Sequence, residues 1–137
     1  MPEITGLLET ALYVDDMGRS ADFFRGVMGL SAMFESDKLT AFDAGRGGVL
    51  LIFLRGASVD DMPSPMGVIA GHDGAGPQHM AFAIPRGSYE EWRAHLRAAG
   101  VRERGEMRWK AGGQSYYFED PDGHVLEVAT PGIWPNY

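Results

Sequence analysis

Residues 7–29, LLETALYVDDMGRSADFFRGVMG, and residues 78–100, QHMAFAIPRGSYEEWRAHLRAAG, run through the same signals in the same order. In the first stretch, Leu7 to Val14 mixes apolar and β-branched residues as a strand does, and Asp15 and Asp16 supply a turn and an N-cap. The pattern then becomes helical from Met17 to Met28. Phe23, Phe24, Val27 and Met28 fall on one stripe, and Gly29 stands where a helix ends in a left-handed cap. In the second stretch, Gln78 to Ile84 alternates Met80, Phe82 and Ile84 against His79, Ala81 and Ala83, the period of a half-buried strand. Ser88 with Glu91 three residues on has the spacing of a capping box. Tyr89, Trp92, Leu96 and Ala99 form the apolar stripe of this second helix, and Gly100 closes it.

Outward from each stretch lie three short strand-like runs. They are Ser31 to Glu35, Leu39 to Asp43 and Val49 to Leu54 in the first half. In the second half they are Val101 to Arg108, Gln114 to Glu119 and His124 to Ala129, the last two joined by the turn sequence Asp120, Pro121, Asp122, Gly123. Laid over one another, Glu9 matches His79 and Gly29 matches Gly100, an offset of about 70 residues that holds through strand and helix. The fold class expected is therefore α+β: two tandem β-α-β-β-β modules, about 6–55 and about 77–132, within one domain spanning 1–137. The connecting segment, 56–76, is rich in Gly, Pro, Asp and Ser and longer than an ordinary connection. It reads either as a linker that lets the halves pair within or between chains, or as a lid.

Bulk composition narrows the function. The 137 residues carry 12 basic and 19 acidic side chains, a net charge of −7, which argues against nucleic acid, whose binding draws on clustered Lys and Arg. The one basic cluster, Arg102, Arg104, Arg108 and Lys110, reads as a solvated strand edge. With no cysteine there is no disulfide framework, any metal must be held by His, Asp or Glu, and the compartment expected is cytoplasmic. The opening Met-Pro-Glu-Ile-Thr-Gly lacks the blocks of a signal peptide and no stretch has the length of a membrane span, so a soluble, unprocessed chain with no membrane partner is expected.

Three strands each place an ionisable group on the face opposite their apolar residues, with Ala two positions on: Glu9 with Ala11, His79 with Ala81, Glu127 with Ala129. The opposite faces read Leu8, Leu12, Val14; Met80, Phe82, Ile84; and Leu126, Val128. Side chains two apart on a strand point the same way, so if the apolar faces pack against helices, the other faces line a concave surface with room for a ligand. A buried carboxylate needs a raised pKa, a basic partner or a metal. Two carboxylates and an imidazole converging from three strands suit a divalent ion with open positions for water or substrate.

LETALYVDDMGRSADFFRGVMGL resembles the opening strand and helix of the vicinal oxygen chelate superfamily, which includes glyoxalase I, extradiol dioxygenases, fosfomycin-modifying enzymes and bleomycin-binding proteins. GPQHMAFAI and YYFEDPDGHVLEVATPG resemble its second opening strand and its closing hairpin. The resemblance implies a curved, cleft-enclosing mixed sheet with the helices outside, a homodimer, and a metal held by Glu9, His79 and Glu127. It implies an enzyme acting on a small substrate chelated through adjacent oxygens, by lyase, isomerase or ring-cleaving chemistry; the alternative it leaves open is a metal-free binding protein of the bleomycin-resistance type. Two positions depart from the family pattern. Glu9 stands where the family usually has His, which favours harder ions such as Mn²⁺ or Mg²⁺, with Fe²⁺ and Zn²⁺ still compatible. Leu51 and Ile52 stand opposite Glu127 in the overlay, where a glyoxalase I resemblance calls for a fourth, carboxylate ligand.

The remaining candidates are single residues. Tyr13 shares the Glu9 face and Tyr117 lies on the strand next to Glu127, so either phenol is placed to orient a substrate or to serve as an acid beside Glu127, with pocket packing the plainer role. His72, in the connecting segment, either closes over the site or is simply solvated. His95 reads as a helix boundary residue, and His124 points away from Glu127. Trp109 and Lys110 read as a flap or a hairpin tip, and Trp134 and Tyr137 as cover for a pocket or an interface. Neither a nucleophile elbow nor a phosphate-cradling glycine loop is present.

Overall fold

The apolar positions of the strand-like runs bury against the helix that follows the first strand of each half. The computed structural model describes residues 1–137, which form two compact units, Met1–Ala75 and Gly76–Tyr137. No helix is long and apolar enough to cross a membrane.

In the first unit, β1 (Glu9–Val14) leads into α1 (Met17–Gly26), followed by β2 (Ser31–Glu35), β3 (Leu39–Asp43) and β4 (Val49–Leu54). β1 pairs parallel with β4, and β4, β3 and β2 form an antiparallel meander, giving the order β1-β4-β3-β2. A parallel neighbour requires a crossover, which α1 begins. Leu12, Val14, Phe42, Leu50 and Ile52 are buried on one face with Phe23, Phe24 and Met28 of the helix end, Phe24 lying 5.8 Å from Phe42 between ring centroids. Each such side chain contributes about 1.5–3 kcal/mol by leaving water. Asp16 caps α1 as its sequence suggests, its carboxylate accepting from the Arg19 amide at 2.9 Å. Gly29 takes the left-handed conformation, φ 70°. The helix stops at Gly26, two residues earlier than the apolar stripe extends, and β1 starts at Glu9, leaving Leu7 and Leu8 exposed.

The connecting segment is not a bare loop. It contains a short hairpin, β5 (Met62–Ser64) and β6 (Gly67–Ile69), whose φ of 141° at Gly67 serves the turn. Its ends are pinned within the first unit. Arg55 donates to the Asp15 carboxylate at 2.9 Å, to Gly74 O at 2.8 Å and to Tyr13 O at 3.1 Å, while the Gly56 amide donates to Asp73 at 3.0 Å.

The second unit repeats the topology. β7 (His79–Ala83), α2 (Tyr89–Ala98), β8 (Glu103–Arg108), β9 (Gln114–Glu119) and β10 (Val125–Ala129) form a sheet of order β7-β10-β9-β8, with β7 parallel to β10. Ile84, Leu96, Tyr116, Phe118, Leu126 and Val128 are its core. α2 ends in a Schellman motif, Val101 N donating to Leu96 O and Gly100 N to Arg97 O, with Gly100 at φ 71°. Its start differs from the capping box read in the sequence. Pro85 opens a 3₁₀ turn over Arg86–Ser88, so Ser88 sits at φ −100°, ψ 6° rather than extended, and its hydroxyl turns back to donate to Pro85 O at 2.9 Å. On the expected stripe Tyr89 and Leu96 are buried, Trp92 is half-buried and Ala99 is exposed.

Candidate functional site

The face of the second sheet opposite its core carries Glu127, His79 and Tyr117. The parallel register pairs Val125 with His79, and the antiparallel register pairs Glu127 with Tyr117, so the three side chains stand on adjacent strands. His79 Nδ1 bonds Val125 O at 2.8 Å, and because a carbonyl only accepts, that nitrogen carries a proton. In the neutral imidazole the lone pair then sits on Nε2, which faces Glu127 Oε2 at 3.5 Å. Two acceptors facing at that distance are satisfied when a proton or a cation lies between them. The Glu127 side chain is 8% exposed and that of His79 is 53% exposed, so one acceptor is recessed and the other open to an entering group. A ring nitrogen held by a backbone carbonyl is also how metal-binding histidines are usually oriented.

Tyr117 flanks this pair, its ring centroid 6.2 Å from that of His79. Burial raises the pKa of its hydroxyl, and the Glu127 charge raises it further, so it stays a phenol and a hydrogen-bond donor at neutral pH. His124 is fully buried and accepts from the Gln78 amide at 2.9 Å through Nδ1, tying the start of β10 to the start of β7. The turn before it is set by Asp120, which accepts from the amides of Asp122 at 3.0 Å and His124 at 2.8 Å. Burial pushes the Asp120 carboxyl pKa up.

The first unit holds a cavity of about 620 Å³. Its floor is the sheet face opposite α1, where β1 contributes Glu9, Ala11 and Tyr13 and β4 contributes Leu51 and Phe53. Its roof is the connecting segment, including Met62 of β5 and Ile69 of β6. Of the two roles open to that segment in the sequence, covering this face is one it performs. Tyr13 Oη and His72 Nδ1 share a hydrogen bond of 2.7 Å, and the His72 ring stands edge-on to Phe53 at 4.5 Å. Burial first, and the Asp73 charge second, raise the Tyr13 pKa. His72 is thus a pocket residue rather than a merely solvated one, and the signal for it was a loop longer than a connection needs.

Of the three residues expected to bind metal, the second unit brings His79 and Glu127 together, and Glu9 belongs to the first, on its cavity wall. No three His, Asp or Glu side chains are gathered into a group fit to hold an ion. The two candidate phenols also divide, Tyr117 beside Glu127 and Tyr13 beside His72. Trp109 belongs to a hairpin tip, its indole N–H donating to Ser115 Oγ at 2.8 Å. The Tyr137 hydroxyl donates to Ala129 O at 2.9 Å and Ile84 O at 3.1 Å within the second unit, and Trp134 is exposed. Arg102 and Arg104 flank Glu119 at 3.6 and 2.7 Å on the edge of the sheet, as a solvated strand edge does.

Comparison with known proteins identifies the family. The chain is 31% identical over 118 residues to the metallothiol transferase FosB of Staphylococcus saprophyticus, covering 85% of this chain and 71% of the relative. Its fold matches a lactoylglutathione lyase from Agrobacterium tumefaciens with a TM-score of 0.88 at 29% identity, over 98% of this chain and 99% of the other. A mutant of the fosfomycin resistance protein FosX from Listeria monocytogenes, complexed with Mn(II) and 1S,2S-dihydroxypropylphosphonic acid, matches with a TM-score of 0.67 at 25% identity, over 92% and 90%. The model of the Glyoxalase/Bleomycin resistance protein/Dioxygenase superfamily matches residues 6–128. With the first module and all but the end of the second inside that match, the chain belongs to the Glyoxalase/Bleomycin resistance protein/Dioxygenase superfamily.

Proposed function

We infer that the protein is a metal-dependent enzyme acting on a small substrate through adjacent oxygens, with Glu9, His79 and Glu127 as the ligands of a divalent ion. The observation that carries this reading is the facing pair of His79 Nε2 and Glu127 Oε2, 3.5 Å apart. Ligands about 2.0–2.2 Å from one ion lie roughly 3.0–3.4 Å from each other, so the pair needs little adjustment. Two carboxylates and one imidazole are a hard donor set, which favours Mn²⁺ or Mg²⁺, with Fe²⁺ and Zn²⁺ compatible. A bound ion would supply Lewis acidity to a substrate oxygen.

The chain's own groups do the rest. Glu9 also lines the first unit's cavity, so a substrate seated there has one end at a ligand. The Tyr13 phenol, held by His72, donates to a substrate oxygen, and Tyr117 holds Glu127 in place as a neutral donor. Lyase, isomerase and ring-cleaving reactions all use such a donor against a developing oxyanion. Leu51 occupies the position that the duplication pairs with Glu127 and contributes no carboxylate, so the reaction of the lactoylglutathione lyase is not extended to this chain. A homodimer is the working form we assign, checked by sizing. The second reading, a metal-free binding protein, is favoured by one observation: every residue lining the cavity belongs to the first unit.

Calorimetric titration of chelator-treated protein with Mn²⁺, Mg²⁺, Fe²⁺ and Zn²⁺ separates the two. Stoichiometric binding of at least one ion, lost in both Glu9→Ala and Glu127→Ala, is expected. No binding of any of the four to the parent protein would overturn the metal-dependent reading.

A further inference from the structure

The first unit's cavity has a chemistry of its own. We propose that it takes an uncharged, largely apolar molecule about two to three fused rings long, with a hydroxyl or carbonyl set against the Tyr13 and His72 pair. The proposal rests on the reading that this face receives the substrate, and it names the class of that substrate.

Length is the first argument. Glu9 and Tyr13 both line the cavity and lie four residues apart on one strand, which at about 3.3 Å per residue separates them by about 13 Å. A three-carbon phosphonate such as the FosX ligand is too short to reach both ends. A volume of about 620 Å³ likewise falls among sites for drug-sized ligands, which span about 300–1,000 Å³.

Charge is the second. The cavity is lined by two carboxylates, Glu9 and Asp60, against one lysine, Lys38, and by no arginine. In the metal-free protein a phosphonate would meet more negative than positive charge and none of the forked donors that suit it, whereas an ion held by Glu9 would offset that carboxylate. The walls are Phe34, Leu39, Leu51, Phe53, Met62 and Ile69. Of these, Phe34, Met62 and Ile69 are 54%, 59% and 62% exposed, so three large apolar side chains from the rim and the roof hold surface that a ligand would cover. Ala11, between Glu9 and Tyr13 on the floor, leaves space for a flat ring to lie against Phe53 and Leu51.

The test is calorimetric titration of the full chain with 2-naphthol, naphthalene-2-phosphonate and propylphosphonate, each in EDTA and in Mn²⁺. In EDTA the expected order is 2-naphthol at least tenfold tighter than naphthalene-2-phosphonate, with propylphosphonate weakest. Ile69→Glu, at an exposed roof position that tolerates substitution, should weaken 2-naphthol at least tenfold. Asp60→Lys should narrow the preference over naphthalene-2-phosphonate to less than threefold. Phosphonates that bind as tightly as 2-naphthol in EDTA, or 2-naphthol binding that ignores Ile69→Glu, would overturn the assignment. Naphthol binding in EDTA by a protein that takes no metal would sink the enzyme reading and leave the cavity assignment standing. Metal binding without naphthol binding would do the reverse.

Discussion

Glu127→Gln keeps the side chain's shape and removes its charge, and it separates what Glu127 does for metal from what it does for the fold. Mn²⁺ at 100 times its dissociation constant stabilises the parent by about 2.7 kcal/mol. In a chain of 137 residues each kcal/mol moves Tm by roughly 3–4 °C, so the metal raises it by about 10 °C. Partners that only orient a ligand are worth 10–100-fold in metal affinity, so losing an anionic ligand outright weakens binding at least ~100-fold. The same Mn²⁺ concentration is then about one dissociation constant, worth about 0.4 kcal/mol, and the shift falls to about 1–2 °C. In EDTA the order reverses. The Gln amide can donate to His79 Nε2 where the carboxylate could only accept, so the variant is no less stable than the parent and up to about 1 kcal/mol more stable. Scanning calorimetry of both proteins, with EDTA and with Mn²⁺, measures all four values. An equal Mn²⁺ shift in parent and variant would refute the assignment of Glu127 as a ligand, and a variant several degrees less stable in EDTA would refute the account of the facing acceptors.

Three further outcomes follow from the hydrogen bonds and close approaches. Tyr89 donates to Glu106 Oε2 at 2.7 Å and, with Arg93, holds that carboxyl below its usual range, so Tyr89→Phe should cost about 1–2 kcal/mol at pH 7 by denaturant titration. Because the folded pKa of Glu106 is depressed, its stabilisation is present above the unfolded value and lost as pH falls through the folded one, so the parent and variant should converge as pH falls below the usual carboxylate range. At Gly71 a Cβ would run into the backbone of Val59 and, at 2.6 Å, of Asp60, so Gly71→Ala should prise apart the base of the connecting segment and weaken 2-naphthol binding severalfold while moving Tm by less than about 3 °C. Arg55→Ala removes the clamp on Asp15, Gly74 O and Tyr13 O; limited proteolysis should then cut within 56–75 at least tenfold faster, and an unchanged rate would show that the hairpin holds itself.

The duplication was legible because its signals are local. Strand alternation, the Asp16 cap, and the glycines at 29 and 100 need only neighbouring residues, and β2, β3, β4 and β9 begin and end where their apolar runs do. The face that carries Glu127 was legible too, since side chains two apart on a strand share a side whatever the strand pairs with. The Ser88 signal failed because Pro85 starts a 3₁₀ turn, and a spacing rule does not see the backbone angles at the cap. What only tertiary structure decided is which groups meet. The register of β7 on β10 sets Val125, not Glu127, opposite His79, and so supplies the carbonyl that turns Nε2 toward the carboxylate. The return of the connecting segment over the first sheet, 59 residues along the chain from Tyr13 to His72, makes a roof and a phenol–imidazole pair from a segment that reads equally as linker or lid. Sequence spacing fixes the side of a strand on which a group stands. Its partner across the sheet is fixed by long-range packing, which no short window of residues contains.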